Sequence, residues 1–396
     1  MNNINTLLQG AEVQWKTLGE VAIKISSGGT PNTGVSSYYD GNIPWLRTQE
    51  VGSGDIWDTG IKITESGLKN SSAKMIPENC VIVAMYGATV GKVGINKIPL
   101  CTNQACANIQ LNEDVANYRY VYHFLLSQYE YIKSLGAGSQ TNINAQIVKN
   151  LSIPIPPLPV QTEIVRILDT FTELTAELTA ELIARKKQYE YYREQLLSFE
   201  NGDVEWKALG EIGEVRMCKR IFKEQTSDVG EIPFYKIGTF GKEPNAYISK
   251  ELFEEYKSKY NYPKIGEVLI SASGTIGRAV IFDGRDAYFQ DSNIVWIEND
   301  ESQVLNKYLF YVYQIAKWEI AEGGTIQRLY NDNLKKTRIP IPYPNNPKKS
   351  IEHQSHVVSI LDKFDALTAS ISEGLPKEIE LRKKQYEYYR DKLLSF

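Results

Sequence analysis

Arg185-Lys-Lys-Gln-Tyr-Glu-Tyr-Tyr-Arg-Glu-Gln-Leu-Leu-Ser-Phe199 returns as Arg382-Lys-Lys-Gln-Tyr-Glu-Tyr-Tyr-Arg-Asp-Lys-Leu-Leu-Ser-Phe396, identical at 13 of 15 positions and displaced by 197 residues. Two segments this alike, in a chain whose intervening halves differ, answer to one shared constraint, so the chain is read first as a repeat. The repeat is wider than these segments. Glu12-Val-Gln-Trp15-Lys-Thr-Leu-Gly-Glu20 is echoed by Asp203-Val-Glu-Trp206-Lys-Ala-Leu-Gly-Glu211, Gly87-Ala-Thr-Val-Gly-Lys-Val-Gly-Ile95 aligns with Ser273-Gly-Thr-Ile-Gly-Arg-Ala-Val-Ile281, and Ile153-Pro-Ile-Pro156 recurs as Ile339-Pro-Ile-Pro342. Each half therefore reads as a variable body, a proline-rich hinge and a long helix.

Proline fixes φ and holds the residue before it extended, so 153–159 and 339–347 are predicted to lie outside helix interiors. Beyond the first hinge, Ile164, Leu168, Phe171, Leu178, Leu182, Tyr189, Tyr192, Leu196 and Phe199 recur at spacings of three, four or seven, with polar residues on the other face. That is an amphipathic helix of about 36 residues, a rod of roughly 55 Å at about 1.5 Å per residue. The second copy runs Val357, Leu361, Phe364, Leu367, Ile371, then Tyr386, Tyr389, Leu393 and Phe396. It carries four extra residues, and a kink or break is predicted at Gly374-Leu-Pro376. Each apolar stripe is buried most economically against the other. Because each rod must return the chain toward the opposite body, the expected pair is antiparallel. The expected fold class is thus α/β (α+β): two globular bodies separated by two long antiparallel coiled-coil helices, with a pseudo-twofold internal repeat. Expected boundaries are 1–157 for the first body, 158–199 for the central helix, 200–349 for the second body and 350–396 for the last helix.

With 396 residues and 42% hydrophobic composition, the chain has material for two to three domains with real cores. No signal peptide and no apolar run long enough to span a bilayer is found, so the expectation is a soluble, cytoplasmic protein without a membrane partner. Cys80, Cys101, Cys106 and Cys218 show no ligand spacing and are read as thiols of a reducing compartment, with a Cys101–Cys106 disulfide as the weaker alternative. Residues 1–157 hold 11 basic and 11 acidic side chains, and residues 200–349 hold 21 and 22. Neither body carries the electrostatic footprint of a stand-alone DNA binder, so local patches or partners would have to supply phosphate contacts.

Catalytic patterns are missing. Gly87-Ala-Thr-Val-Gly91-Lys92 follows an apolar strand as a phosphate loop does, but three residues rather than four separate its glycines, and Val93 stands where Ser or Thr is needed. It is read instead as a tight turn displaying Thr89 and Lys92, matched by Thr275 and Arg278. His123 lies in an amphipathic run and reads as a packed helix residue. His353 and His356 lack a third ligand for zinc. No nucleophile elbow, dinucleotide fingerprint or amino-methyltransferase Asn/Asp-Pro-Pro-Tyr occurs, and Asp55 and Asp58 read as loop carboxylates. The polar loops offer something else. Ser27-Gly-Gly-Thr-Pro31, Ile43-Pro-Trp-Leu-Arg-Thr48 and Gly136-Ala-Gly-Ser-Gln-Thr-Asn-Ile-Asn144 combine exposed backbone with Arg, Asn, Gln and Thr. Those groups can pair with base edges, Asn or Gln with adenine and Arg or Lys with guanine; solvated loops share the composition.

Ser27-Gly-Gly-Thr-Pro31, Ile43-Pro-Trp45, Thr102-Asn-Gln-Ala-Cys106, Ile153-Pro-Ile-Pro-Pro-Leu158 with Gln161 and Ile164-Val-Arg-Ile-Leu-Asp169, and both Arg-Lys-Lys-Gln-Tyr segments together resemble the specificity subunit of Type I restriction-modification systems, over essentially the whole chain. The tandem Thr175-Ala-Glu-Leu-Thr-Ala-Glu-Leu182 is similar to the central-helix repeat of that family's IC subgroup. The resemblance implies two target recognition domains and two helical regions that hold them apart. It implies a non-catalytic subunit that reads a bipartite, asymmetric double-stranded DNA target and docks two modification subunits, with restriction subunits joining through the complex. It also implies no cofactor in this chain, with S-adenosylmethionine, ATP and Mg on the partner subunits. The second body departs from the pattern, with Met217-Cys-Lys-Arg-Ile221 and Phe289-Gln-Asp-Ser-Asn293 in place of two of these motifs, while Gly323-Gly-Thr-Ile-Gln-Arg-Leu329 matches 136–143 in placement.

Expected DNA contacts are Thr30, Arg47, Thr48, Tyr86, Thr89, Lys92, Gln104, Gln140, Thr141, Asn142 and Asn144 in the first half, and Lys219, Arg220, Lys236, Thr275, Arg278, Gln290, Gln327 and Arg328 in the second. Expected contacts with the modification subunits are Lys186, Lys187, Tyr189, Glu190 and Arg193, with Lys383, Lys384, Tyr386, Glu387 and Arg390 in the second copy. No catalytic or metal residue is expected. The rival readings are a two-headed scaffold for protein or glycan ligands and an enzyme with an unrecognised site.

Overall fold

The structure, a computed structural model, describes residues 12–52, 54–136, 142–199, 203–320, 327–370 and 373–396. The chain divides into two compact units, Met1–Thr179 with Glu378–Phe396, and Ala180–Lys377.

In the first unit, β1 (Gln14–Thr17) pairs antiparallel with β11 (Ser152–Ile155). A five-stranded sheet has the order β2 (Ala22–Ser27), β10 (Cys106–Leu111), β7 (Val81–Ala84), β8 (Val93–Asn96) and β4 (Gly54–Ile56). A four-stranded sheet runs β5 (Lys62–Ile63), β3 (Tyr39–Leu46), β9 (Leu100–Thr102) and β6 (Met75–Ile76). The apolar run of β7 is buried at every position, because each face of the sheet has its own core. Val81 and Val83 face the larger cluster with Ile109, Tyr120, Leu125 and Leu168, whereas Ile82 and Ala84 face Leu46, Val51 and Leu100. Helix α1 (Leu18–Val21), α2 (Glu65–Lys69), α3 (Tyr118–Ser127), α4 (Tyr129–Ser134) and α5 (Ala145–Lys149) complete the body. Asn117 starts α3 by accepting from the Arg119 amide at 2.9 Å, satisfying a donor that the first turn leaves orphaned.

The second unit repeats this plan with other residues. β12 (Val204–Ala208) pairs with β20 (Arg338–Pro342), and a four-stranded sheet runs β13 (Glu214–Arg216), β19 (Ile294–Glu298), β16 (Val268–Ser271) and β17 (Ala279–Ile281). A small sheet runs β15 (Tyr247–Ile248), β14 (Ile232–Tyr235) and β18 (Tyr288–Phe289). β14 is antiparallel to β15 and parallel to β18, as β3 is to β5 and β9. Apart from β4 and β6, which have no counterpart among the described strands of the second unit, strand order and sense are duplicated where sequence is not. Helices α7 (Leu209–Ile212), α8 (Lys250–Lys259), α9 (Asn306–Tyr313) and α10 (Asn331–Lys336) belong to this body.

The long helices are α6 (Leu158–Leu197), α11 (Pro347–Thr368) and α12 (Gly374–Leu394). α6 runs 40 residues unbroken and begins earlier than its apolar stripe predicts. Pro159 falls in its first turn, where a missing N–H costs nothing. The break in the second copy lies just ahead of Gly374-Leu-Pro376 rather than within it: Gly374 takes φ of +77° and Pro376 again occupies a first turn. Ile371, expected on the second apolar stripe, lies outside the described residues. The first part of each proline-rich hinge, 153–155 and 339–342, is strand rather than loop. Pro154 faces Trp15 and Pro340 faces Trp206 across two-stranded ladders, where a residue lacking N–H is tolerated at the edge. Within the first unit Phe171 of α6 stacks on Tyr389 of α12 at 5.2 Å, and within the second Tyr192 of α6 stacks on Phe364 of α11 at 5.6 Å.

Candidate nucleic-acid interface

Three motifs read separately in the sequence close into one knot. The Gly29 amide donates to the Thr102 carbonyl at 2.9 Å, Trp45 Nε1 donates to the Gly29 carbonyl at 2.9 Å, and the Tyr39 hydroxyl donates to the Pro31 carbonyl at 2.7 Å. The paired glycines are steric requirements: a Cβ on Gly28 would lie 1.9 Å from the Thr102 carbonyl oxygen, and one on Gly29 would lie 2.3 Å from Ser72 Oγ. The Thr30 hydroxyl is bonded to Gln104 Oε1, so Ser-Gly-Gly-Thr-Pro and Asn-Gln-Ala-Cys meet at the surface.

Backbone bonds then gather the remaining first-half loops around this knot. The Asn103 amide donates to the Leu46 carbonyl at 2.9 Å, Met85 to Ala105 at 2.8 Å, and Ile143 to Met85 at 3.0 Å. Thr89 Oγ1 donates to the Thr48 carbonyl at 3.0 Å, and Asn142 Oδ1 accepts from the Gly87 amide at 3.2 Å. Thr30, Arg47, Tyr86, Thr89, Gln104 and Asn142 thus belong to one contiguous set of loops. Their side chains differ in availability. Tyr86 and Gln104 are exposed, while Thr30, Arg47, Thr89, Lys92 and Asn142 are half-buried. The Thr48 side chain is 9% exposed, and Asn144 Oδ1 caps α5 by accepting from the Ile147 amide at 2.9 Å; both serve the frame. Gln140 and Thr141 lie outside the described residues.

Glu50 had no signal in the sequence beyond its proximity to Arg47. Its carboxylate accepts from Arg47 Nε at 3.1 Å and from the amides of Arg47 and Gly60 at 3.1 and 2.7 Å, which fixes the direction of the Arg47 side chain. Asp291 was missed because its partner lies 71 residues away in the chain: it accepts from Arg220 Nε at 2.8 Å.

The second unit places its loops by equivalent bonds. Gln290 donates through its amide to the Tyr235 carbonyl at 2.9 Å, Ala272 to Asn293 at 2.7 Å and Leu329 to Ala272 at 2.8 Å, matching the Asn103, Met85 and Ile143 bonds in turn. Arg328 therefore stands where Asn142 stands. It is exposed and shares a cleft of about 400 Å³ with Met217 and Ser292. Gln327, Lys219 and Arg220 are exposed as well, with the Lys219 ammonium 5.2 Å from the Tyr260 ring centre. Arg278 is directed inward, donating to the Phe240 carbonyl at 2.9 Å, and Gln290 Oε1 accepts from the Ile237 amide at 2.9 Å. Lys236 is half-buried. Gly91 bonds back to Ala84 and Gly277 to Ser271, so the second turn is one residue shorter; the positive-φ Gly87 then matches Gly274 rather than Ser273, while Thr89 and Thr275 each stand two residues before the glycine that closes the turn.

On the helices Lys186, Lys187, Glu190, Lys384 and Glu387 face solvent, and Lys383 lies beside them. Tyr189, Arg193, Tyr386 and Arg390 are engaged within their own units. Tyr189 stacks on Phe364 and Arg193 donates to Gln314 Oε1 at 3.0 Å, while the Tyr386 hydroxyl meets His123 Nδ1 at 3.0 Å. Arg193 is thus explained by internal packing, against the expectation that its identity with Arg390 needs an outside surface. His123 is fully buried, as a packed helix residue should be. Burial pushes its pKa below the usual imidazole value, outweighing the neighbouring Asp169 carboxylate. Cys80, Cys101, Cys106 and Cys218 are free and buried, with burial pushing the Cys101 thiol up to about 11 and the other three to about 12. Among the described residues no group of three or more His, Cys, Asp or Glu could hold a metal ion, and no helix is long and apolar enough to cross a membrane.

A family model for the Type I restriction modification DNA specificity domain matches residues 11–186 and again 201–381. The chain is similar to a putative type I restriction enzyme specificity subunit of Haemophilus influenzae, at 50% identity over 408 residues covering 99% of this chain and 98% of that one. It is similar to the EcoR124I/EcoR124II specificity subunit of Escherichia coli at 39% identity over 267 residues, 63% of each chain. In fold it is similar to the S subunit of a Type I restriction-modification system from M. genitalium, with a TM-score of 0.59 at 15% identity, covering 98% of this chain and 97% of that one.

Proposed function

The chain belongs to the Type I restriction-modification DNA specificity family, and on that premise we propose that its two bodies each read one half of a bipartite, asymmetric DNA target. The role in DNA specificity is that of the family; the division of labour is supported by one observation. Two units share strand order, strand sense and the backbone bonds that gather their loops, yet differ in the side chains those loops carry, Asn142 against Arg328 and Thr30 against Arg220. A common frame with unlike tips is what two different sequence readings require.

The repeated helix segments carry the second part of the proposal. Lys186, Lys187 and Glu190 are identical to Lys383, Lys384 and Glu387 and stand on the outer face of the helices, and no internal packing explains their identity. Two equivalent surfaces suit two copies of one modification subunit, with restriction subunits joining through that complex. Methyl transfer from S-adenosylmethionine and ATP- and Mg-dependent work would then reside on those partners, and the near balance of charge in each body is relieved because partners supply further phosphate contacts. The test is to map modified adenines genome-wide with and without this gene, alongside gel shift with the modification subunit added. A discontinuous, non-palindromic motif that vanishes with the gene is expected. An unchanged methylome, or a continuous palindrome, would refute the reading.

A further inference from the structure

Strand register fixes a correspondence between the units that the sequence hides. Asn108 of β10 faces Ser26 of β2, and Cys106 of the same strand faces Ala84 of β7. Trp296 of β19 faces Arg216 of β13, and Ile294 faces Ser271 of β16. Ser26 and Arg216 are therefore equivalent, and four residues further on Thr30 is matched by Arg220. Each meets the turn that enters the central strand. Thr30 bonds Gln104, just ahead of β10, and Arg220 Nε donates at 2.8 Å to Asp291, just ahead of β19. A neutral hydroxyl–amide pair in one body is replaced, at the same place, by a guanidinium–carboxylate pair in the other.

The Asp291 side chain is 14% exposed and that of Arg220 is 61% exposed, so the pair is rooted in the protein and open at its tip. With Nε occupied, Nη1 and Nη2 remain as a planar donor fork with no partner among the described residues. Such a fork matches O6 and N7 of guanine in the major groove. An exposed ion pair contributes little to stability, and a carboxylate on a DNA-facing surface repels phosphate. Its presence there is explained by restricting a long side chain that would otherwise lose freedom on binding. Ser292 beside it lines the cleft that Arg328 also lines.

We propose that Arg220 reads a guanine in the half-site of the second body and that Asp291 is its positioning residue. This rests on the DNA-reading function proposed above.

The full-length chain is assembled with the modification subunits of its system, its motif is obtained by mapping modified bases, and binding is measured on duplexes carrying 7-deazaguanine, which lacks N7, at each guanine in turn. The wild-type complex should lose roughly five- to hundred-fold in affinity at one guanine of one half-site. Arg220→Ala should become indifferent to that replacement and to the base pair there while the other half-site is read normally. Arg220→Lys should restore discrimination only in part, because an ammonium can meet guanine but is not a planar fork that Asp291 can hold in register. Asp291→Asn should lower discrimination at that base while affinity for unrelated duplex holds or rises, a negative charge having left the DNA face. A loss of specific and unrelated binding alike in Asp291→Asn would overturn the positioning role, and undiminished discrimination at every position in Arg220→Ala would overturn the proposal. A wild-type complex that modifies DNA without sequence preference would instead overturn the reading on which it rests.

Discussion

Asp169 receives two parallel hydrogen bonds from Arg119, Nε to Oδ2 at 2.5 Å and Nη2 to Oδ1 at 2.9 Å. His123 Nε2 adds a third at 2.7 Å, so that ring nitrogen carries the hydrogen and Nδ1 accepts from the Tyr386 hydroxyl. The second unit has the same joint in other residues: Asp362 accepts from Lys307 Nζ at 2.6 Å and from the Tyr311 hydroxyl at 2.5 Å. In both, a glutamine eight residues earlier, Gln161 or Gln354, accepts at 2.8 or 2.9 Å from the amide that opens the neighbouring helix region.

Removing the Asp169 carboxylate leaves Arg119, whose side chain is 21% exposed, paired with Asp55 at 3.1 Å but takes away the partner of the buried His123 Nε2, so Asp169→Ala should destabilise the first unit by about 2–3 kcal/mol. Asp362→Ala should cost less, roughly 1–2 kcal/mol, because the Lys307 side chain is 51% exposed and can turn to water. Hydrogen exchange during denaturant titration, read separately for 12–179 and 203–320, checks both the size and the confinement of each effect. Equal losses in the two units would show that the joints are not independent.

Acid should weaken the first unit more than the second, whose own histidine with a burial-lowered pKa, His353, is only half-buried where His123 is fully buried. Burial lowers the His123 pKa below its ordinary 6.5, with Asp169 opposing and Arg119 and Arg390 assisting. Protons therefore bind more tightly to the unfolded form, and stability falls as pH drops below about 6.5. Burial alone would raise the Asp169 pKa, but the bonds from His123 and Arg119 outweigh it and hold it below 3.8. Its contribution is lost further down, as pH falls through that depressed value. Denaturation midpoints near pH 7.5 and pH 5 should diverge for the wild type and converge for a neutral replacement such as His123→Gln.

Gly28→Ala should disrupt the loop knot, since its Cβ would overlap the backbone of Thr102 at 1.9 Å. A loss of about 3 kcal/mol or more is expected, together with blurred reading of one half-site. Folded protein with an unchanged motif would show that the close approach is dispensable.

Arg47→Ala and Asn142→Ala should each cost roughly 1–3 kcal/mol of discrimination, confined to the half-site that the first body reads. Lys92→Ala should weaken binding across all sequences and lower the salt slope by about one if it meets phosphate. Comparing methylomes with salt-dependent affinities separates the two classes.

The repeat, both long helices and the strand at 81–84 were legible because period and composition speak through neighbouring residues. What was not legible depends on residues distant in sequence. Thr48, Asn144, Gln290 and Arg278 have the chemistry of base readers but are engaged in holding the frame, and only the fold shows which loop carbonyl or amide each one meets. Glu50 was silent because an acid close to an arginine in sequence is common on any surface, and Asp291 because Arg220 lies 71 residues before it. The proline segments were legible as extended but not as paired strands, because Trp15 and Trp206, their ladder partners, lie far away along the chain.

α6 runs without interruption through Thr175-Ala-Glu-Leu-Thr-Ala-Glu-Leu182, so a third copy of the four-residue unit should add about 6 Å of helix and about 40° of excess rotation. With about 3.4 Å per base step, the unspecified spacer of the target should lengthen while both half-sites stay the same. Sequencing the methylome of such an insertion strain decides it: an unaltered spacer would mean that α6 does not set half-site separation.

The first unit is completed by Glu378–Phe396, whereas the second is one continuous stretch, Ala180–Lys377. On the ribosome, at about 5–20 residues per second, the first body must wait roughly 10–40 s after Thr179 is joined before Tyr386, Leu393 and Leu394 exist to cover His123 and its core. The usual order of maturation is thereby inverted. The body made second can finish first, and the body made first remains open to chaperones and proteases until translation has passed through the whole of the other. A ribosome that stalls inside the second body leaves a chain in which neither half is complete.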